Sequence, residues 1–170
     1  YAIFAEDDVS FDTAGFWKFT WDEFVEKLPY DWDVVQLAII NPGVVYAHMH
    51  ARWVNDFSTA CYMITRHHAE KLIKHHCVGD KFRLDQGVKP RPVADDLIYN
   101  CGRTYAIPLF HYKIELGSSI HPDHIEVFHK GSHKGILHHW KESLAQMENQ
   151  SVLFEYDPYL GRIPPECQEK

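Results

Sequence analysis

The sequence predicts an α/β domain in which helices flank a mixed sheet, because short apolar runs alternate with helix patterns. Three apolar runs predict strands, at residues 1–5, 33–40 and 57–65. Two helix patterns lie among them, at residues 20–28 and 67–76. The resulting order of strand, helix, strand, strand, helix is typical of this class. We assign residues 1–150 to the domain and the proline-containing residues 151–170 to a tail.

The first two strands and the first helix have clear local signals. The run YAIFA at 1–5 is aromatic, aliphatic or small throughout, which predicts a strand buried on both faces. A capping box at Thr20–Glu23 starts the first helix, which should end before Pro29. The run DVVQLAII at 33–40 predicts a second buried strand, and Asn41-Pro42-Gly43 closes it with a turn.

The remaining elements have weaker signals. The run FSTACYMIT at 57–65 predicts a strand. The helix at 67–76 places Ala69, Leu72, Ile73 and His76 on one face, and we expect its histidine pairs at 67–68 and 75–76 to belong to the helix surface. We expect a basic loop at 79–92, a short helix at 95–100 and a strand at 105–110. Pro108 places that strand at a sheet edge or near its own end. Residues 111–139 predict a loop, and 140–148 a helix.

Composition excludes several classes of function. The net charge of −7 gives no electrostatic basis for non-specific nucleic-acid binding. No apolar run approaches the roughly 20 residues of a membrane-spanning helix. The 4 cysteines include no C-x-x-C pair, which argues against a zinc ribbon. We therefore expect no nucleic-acid partner and no membrane span in this chain.

An acid triplet follows the first strand directly. Glu6, Asp7 and Asp8 stand at its carboxyl end, the side of an α/β sheet on which ligands bind. Several carboxylates so close together resist ionising unless a cation neutralises them, and a hard divalent ion does this well. Such an ion would also hold phosphate oxygens. The alternative is a solvated acidic loop without a ligand.

An apolar strand followed by EDDV resembles the nucleotide-sugar site of GT-A glycosyltransferases, and more narrowly that of glycosyltransferase family 25. This family includes lipopolysaccharide and collagen galactosyltransferases. Four further segments resemble family segments in the same order: YDWDVVQLA at 30–38, STACYMITRHHAEKLI at 58–73, PVADDLIY at 92–99 and SSI at 118–120. Together the resemblance covers roughly residues 1–140.

The resemblance implies a Rossmann-type GT-A sheet and an enzyme that transfers a hexose, galactose or glucose, from a UDP-sugar. The acceptor would be a glycan or protein hydroxyl, and transfer would invert the anomeric carbon. The cofactor would be Mn²⁺, or Mg²⁺, with Asp8 as direct ligand. Glu6 and Asp7 would serve the ribose or a metal-bound water. Asp95 or Asp96, in the later acidic segment, would be the general base; the alternative for this pair is capping of a short helix.

The resemblance also points to a late stretch, FHKGSHKGILHHW at 128–140. GT-A enzymes often complete the metal shell with a late histidine, so His129 and His133 become candidate ligands. Lys134, or Lys130, would face the diphosphate. Any of these side chains can instead belong to the surface or the core. Trp53, Tyr62 and Trp140 could stack on a sugar, with core packing as the default.

In the family, the acid motif normally follows α/β units that bind the nucleotide base. Here it stands at residue 6, so we expect the chain to be part of a longer polypeptide that supplies those units. Two other functions stay open. One is a catalytically inactive, glycosyltransferase-like binding module, which metal-dependent UDP binding would distinguish. The other is a non-haem iron oxygenase that uses His121 and Asp123 as iron ligands. It is disfavoured because it needs a further histidine on a later strand, and the last histidine, His139, stands in a stretch without a strand pattern.

Overall fold

The computed structural model describes residues 1–41, 43, 46–82, 93–113 and 130–156. Its strands are β1 Ala2–Ala5, β2 Val9–Ser10, β3 Val34–Ala38, β4 His50–Ala51, β5 Cys61–Ile64, β6 Cys77–Val78, β7 Lys81–Phe82 and β8 Thr104–Tyr112. Its α-helices are α1 Trp21–Glu26, α2 Arg66–His76, α3 Ala94–Tyr99 and α4 Lys130–Glu142. Short 3-10 helices lie at Asp12–Phe16, Leu144–Gln146 and Ser151–Phe154.

The main sheet is mixed, as predicted, and its strands follow the order β1-β5-β3-β8-β2. β5 runs antiparallel to both β1 and β3, while β3 and β8 are parallel. Hence β1, β3 and β8 all point in one direction. β4 pairs with the beginning of β8 and β2 with its end, both antiparallel. β6 and β7 form a separate two-stranded hairpin.

Helices cover both faces of this sheet. Neighbouring strand residues point to opposite faces. Val34 and Ile64 pack with Tyr99 of α3 and with α2, whereas the adjacent Val35 and Met63 belong to the larger core. That larger core includes Phe24 of α1, Ile136 and Trp140 of α4, and Leu153 and Phe154. The fold is therefore a three-layer α/β arrangement, which confirms the coarse prediction.

The predicted capping box is present. The Thr20 side chain accepts a hydrogen bond from the backbone N–H of Glu23, and the Glu23 carboxylate accepts one from the backbone N–H of Thr20. The helix ends at Glu26, before Pro29 as predicted. β3 is buried along its whole length, also as predicted. Pro42, in the predicted turn, lies outside the described residues.

The prediction that the first strand is buried was wrong. β1 forms as expected, but all four of its residues are exposed. The reason is its position, because among the described strands it pairs with β5 alone and stands at the edge of the sheet. Phe4 remains 52% exposed although its ring stacks on Tyr62. An apolar run does not distinguish a central strand from an edge strand.

Pro108 does not mark a strand end, contrary to expectation. It lies in the middle of the nine-residue β8, which pairs with β3 as well as with β2 and β4. The β3–β8 register shifts there, because Gln36 faces Ala106 but Ala38 faces Phe110. Such a bulge accommodates a residue that lacks a backbone N–H. The Pro108 carbonyl accepts a hydrogen bond from the Trp140 indole.

The last helix begins earlier than predicted. α4 spans Lys130–Glu142, where we expected a loop followed by a helix at 140–148. Gly131 and Gly135 weaken its local helix propensity, and the buried face made by Ile136 and Trp140 stabilises it instead. Leu153 and Phe154 are buried in the core, so the packed unit extends past the predicted boundary at residue 150.

α2 confirms the predicted helix. Ile73 is 60% exposed, whereas His68, expected on the surface, is fully buried. The His68 Nε2 lies 3.0 Å from the carbonyl oxygen of Ile98, and its ring fills the space beside Gly102, where a Cβ would clash. Of the helices in the described ranges, none is long and apolar enough to cross a membrane.

Candidate functional site

The acid triplet connects the carboxyl end of β1 to the beginning of β2. The backbone N–H of Glu6 donates to the carbonyl of Ala60, which continues the β1–β5 pairing. Three residues later the chain enters β2, which pairs with the end of β8. The backbone carbonyl of Asp8 accepts a hydrogen bond of 2.7 Å from the backbone N–H of Lys113. The triplet is thus fixed at both ends by backbone pairing at the carboxyl edge.

Helix α3 brings a fourth carboxylate to this edge. An Oδ1 of Asp95 accepts a hydrogen bond from the backbone N–H of Ser58 and lies 4.0 Å from the Arg52 guanidinium. Asp96, its neighbour, is 5% exposed and accepts a hydrogen bond from the Asn100 side chain. Of the two predicted candidates, Asp95 is therefore the one whose carboxylate belongs to the cluster.

Three carboxylates act electrostatically on Glu6. Partial burial raises the pKa of Glu6, and the charges of Asp8, Asp7 and Asp95 raise it further. Mutual repulsion of this kind favours protonation or the binding of a cation. We call Glu6, Asp7, Asp8 and Asp95 the acid cluster.

A tyrosine lies beside the acid cluster. Burial raises the pKa of Tyr112, and the nearby charges of Glu6, Asp8 and Asp95 add to this effect. The Tyr112 hydroxyl hydrogen-bonds the Ser58 hydroxyl. Tyr112 thus remains a protonated, neutral hydroxyl at physiological pH, able to donate one hydrogen bond at the edge of the cluster.

Ser58 joins these groups through an unusual backbone conformation. Its φ of 99° is one that residues other than glycine rarely adopt. Its N–H donates to Asp95, and its carbonyl accepts from the Tyr99 hydroxyl at 2.8 Å and from the Gln36 amide at 2.9 Å. Strained residues of this kind persist where several partners hold them, and they concentrate at functional sites.

Arg52 supplies a positive charge next to the cluster. Its side chain is 5% exposed, donates to Gln36 Oε1 at 3.1 Å and lies 4.5 Å above the Tyr99 ring. Burial lowers the pKa of Arg52, and the neighbouring Tyr99 and Asp95 oppose that shift. The guanidinium stays charged, as arginine does in proteins, and offsets part of the negative charge of the cluster.

Of the late candidates, the structure describes His133, Lys130 and Lys134, all of which lie on α4. His133 of α4 is buried against His111, with 3.1 Å between their Nδ1 atoms. His111 precedes Tyr112 in β8, so the two side chains point to opposite faces of the sheet. Lys134 is exposed on the same helix, and His129 lies outside the described residues.

The acid cluster offers carboxylate oxygens, which are the ligands that a hard divalent cation prefers. Within the ranges that the structure describes, no three His, Cys, Asp or Glu side chains are grouped so as to hold a metal ion. Protein sites for Mg²⁺ commonly use only one or two carboxylates and take further ligands from substrate phosphates. Asp8 and Glu6 are the residues of the triplet that could act in this way.

The aromatic candidates separate into core and surface residues. Trp140 is 1% exposed and donates to Pro108, so it is a core residue. Tyr62 is half-buried between Phe4 and Tyr99, and burial and the charge of Glu6 raise its pKa. Trp53 is half-buried in a separate aromatic group.

Sequence reasoning missed Arg52, Ser58 and Tyr112. Arg52 and Ser58 follow no periodic pattern that would mark them, and the resemblance covers Ser58 without assigning it a role. Tyr112 could have been found, because it stands near the end of a predicted strand whose carboxyl end should meet the triplet. The serine-rich stretch 118–120 and the pair His121 and Asp123 lie outside the described residues.

Comparisons with protein-family models, with curated proteins and with solved structures gave no match to this chain.

Proposed function

We propose that the chain is a metal-dependent glycosyltransferase, which moves a hexose from a UDP-sugar to a glycan or protein hydroxyl with inversion. One observation supports this most directly. Two acidic segments far apart in the sequence, at 6–8 and 95–96, converge through Asp95 on the carboxyl edge of the sheet. Glycosyltransferase family 25, of GT-A type, is the proposed family.

In this proposal Asp8 and Glu6 hold Mn²⁺ or Mg²⁺, and Asp7 contacts the ribose or a metal-bound water. The cation would neutralise the diphosphate leaving group. Asp95 is the proposed general base, because the Ser58 N–H orients its carboxylate within the cluster. Asp96, bonded to Asn100 and buried, has a structural role. We assign no metal ligand from the described part of the late stretch, residues 130–140.

Ligand-dependent thermal stability tests donor binding. We expect Mn²⁺ and UDP together to raise the melting temperature, since ligands that bind only the folded state stabilise it. Asp8→Asn should abolish the shift, and Glu26→Gln, an exposed carboxylate at the end of α1, should keep it. A shift that persists in Asp8→Asn would remove the proposed metal role.

Transfer activity tests the base. Asp95→Asn should keep the stabilisation by Mn²⁺ and UDP but lose hexose transfer, whereas Asp96→Asn should keep transfer. Equal turnover in Asp95→Asn and the wild type would exclude Asp95 as the base.

The second candidate function is a catalytically inactive glycan-binding module. The partly exposed aromatic pair of Tyr46 and Trp53 favours it, because contact between such side chains and a sugar requires no metal. Stabilisation by Mn²⁺ and UDP would favour the transferase, and its absence together with sugar binding would favour the module.

A further inference from the structure

A glutamine stands in the middle of the buried strand β3. Gln36 is fully buried, and a polar side chain at such a position destabilises a fold unless its hydrogen bonds are made. Its Nε2 donates to the carbonyls of Phe57 at 2.8 Å and Ser58 at 2.9 Å. Its Oε1 accepts from Arg52 Nε at 3.1 Å. The amide thus connects two segments of the chain that both reach Asp95.

One of these hydrogen bonds fixes the peptide group that contacts Asp95. The carbonyl of Phe57 and the N–H of Ser58 belong to one planar trans peptide, so they point in opposite directions. Gln36 holds the carbonyl end of this peptide, where the backbone N–H of Ile40 also donates at 3.0 Å. The N–H end donates to Asp95 Oδ1. The direction of the Ser58 N–H therefore depends on Gln36.

The same amide stabilises the strained backbone of Ser58. Gln36 Nε2 contacts the carbonyl oxygens of Phe57 and Ser58, which lie on the two sides of the Ser58 Cα. The Tyr99 hydroxyl donates to the second of these oxygens at 2.8 Å. A residue with a φ of 99° keeps that conformation only where its partners determine it. Without the amide, the Ser58 backbone should relax and turn its N–H away from Asp95.

The oxygen of the amide places the positive charge that faces Asp95. Gln36 Oε1 holds Arg52 Nε, and Arg52 Nη2 lies 4.0 Å from Asp95 Oδ1. Within the part of the chain that the structure describes, both partners of Asp95 contact Oδ1, and no hydrogen bond or ion pair involves Oδ2. Since 23% of the Asp95 side chain is exposed, Oδ2 is available to a ligand at the edge of the sheet.

We propose that Gln36 is a positioning residue, which holds Asp95 so that Oδ2 faces the acceptor hydroxyl. This role rests on the proposed transferase, in which Asp95 is the general base. The acceptor proton moves to Oδ2 while the hydroxyl oxygen bonds the anomeric carbon, and the bond from that carbon to UDP breaks with its electron pair on the phosphate oxygen. A base must lie within hydrogen-bond reach of that proton, so rotation of the carboxylate would slow transfer.

The amide proton of Ser58 tests this positioning by NMR without any transfer. The shift of an N–H that donates to a carboxylate responds when the carboxylate binds a proton, because the charge-assisted hydrogen bond weakens. We expect the Ser58 signal to move upfield on acidification in the wild type, and Asp95→Asn should abolish this response. Gln36→Met keeps most of the side-chain volume but removes the amide, and it should abolish most of the response. The Thr20 N–H, 2.7 Å from Glu23 Oε2, should titrate alike in every variant.

Gln150→Met is the matched control for the loss of buried hydrogen bonds. Gln150 is 2% exposed, and its amide donates to the carbonyls of Leu144 at 2.8 Å and Phe16 at 3.0 Å. Its Oε1 accepts from the backbone N–H of Lys18 at 2.8 Å. These bonds resemble those of Gln36, but their partners contribute no residue to the acid cluster. Gln150→Met should therefore lose stability, yet keep both the Ser58 response and the turnover.

Steady-state transfer completes the test, with UDP-galactose or UDP-glucose as donor and lactose or a serine peptide as acceptor. Gln36→Met should lower kcat about tenfold or more, because a small misplacement of a catalytic group slows a reaction strongly. The donor KM and the stabilisation by Mn²⁺ and UDP should stay at their wild-type values. Circular dichroism establishes that each variant is folded. Gln36→Glu, which keeps the shape and the acceptor for Arg52 but removes the N–H donors, serves if Gln36→Met is not folded.

The positioning role is overturned by any of three results. The Ser58 response persists in Gln36→Met, or Gln36→Met turns over as the wild type does, or Gln150→Met lowers kcat equally. A wild-type Ser58 signal that ignores the ionisation of Asp95 overturns it before any variant of Gln36 is made. If the wild type transfers neither hexose, the proposed transferase fails, and the Ser58 response alone decides for or against the positioning of Asp95.

Discussion

Replacing Arg52 with methionine tests how the protein tolerates four carboxylates at one edge of its sheet. Methionine keeps much of the side-chain volume and removes the charge and the donors. Arg52 donates to Gln36 Oε1 at 3.1 Å, lies 4.5 Å from the centre of the Tyr99 ring and 4.0 Å from Asp95. Only 5% of its side chain is exposed, so water cannot replace these partners.

The magnitude follows from these contacts. A hydrogen bond from a charged donor contributes about 1.5–3 kcal/mol, and a desolvated cation–π contact about 1–2 kcal/mol. The pair with Asp95 adds about 1 kcal/mol at most, since the Asp95 side chain is 23% exposed. Removing the guanidinium also relieves the free-energy cost of its burial. We expect Arg52→Met to lower the free energy of unfolding by about 3 kcal/mol.

Arg66→Met is the matched control. Arg66 forms a shorter ion pair, 2.9 Å to Glu70, but its side chain is 89% exposed. Its loss should therefore cost less than about 0.5 kcal/mol. Urea unfolding of the wild type and the two variants gives both values by linear extrapolation. A cost for Arg52→Met below about 1 kcal/mol, or equal costs for the two variants, would refute the argument that burial decides the contribution.

Two further predictions concern titratable groups. The raised pKa of Glu6 means that its charged form destabilises the folded state, so Glu6→Gln should stabilise the protein at neutral pH, by less than about 1 kcal/mol for so exposed a side chain. The gain should disappear as the pH falls below the ordinary value of 4.5, and a gain confined to acid pH would contradict the sign. Burial raises the pKa of Cys61 to about 12, so iodoacetamide should modify half-buried Cys77 before Cys61 in the folded protein. Mass spectrometry of the labelled peptides measures this, and urea should remove the difference; faster labelling of Cys61 would refute it.

Local sequence signals predicted those elements whose stability is local. The capping box at Thr20 and Glu23 and the apolar run of β3 were sufficient for α1 and for a buried strand. α4 could not be found in this way, since Gly131 and Gly135 oppose it and only packing of Ile136 and Trp140 stabilises it. The same holds for Pro108, which a bulge between two distant strands accommodates. Tertiary contacts of this kind leave no periodic pattern.

The site was predictable where strand direction determines it. Residues that follow a strand in an α/β sheet meet at its carboxyl edge, and this places the triplet beside Asp95 and Tyr112. Which of Asp95 and Asp96 faces the cluster depends on the rotation of a six-residue helix, and sequence could not determine this. The burial of His133 against His111 depends in turn on α4, whose start was mispredicted.

Arg52 and Trp53 are consecutive, so one short segment contacts both the acid cluster and the aromatic group of Tyr46 and Trp53. The proposed transfer depends on the carboxylates and the cation, whereas binding by the inactive module depends on neither. Variants on the two sides of this segment therefore separate the two candidate functions. Asp8→Asn should abolish stabilisation by Mn²⁺ and UDP, and Tyr46→Ala should leave that stabilisation intact.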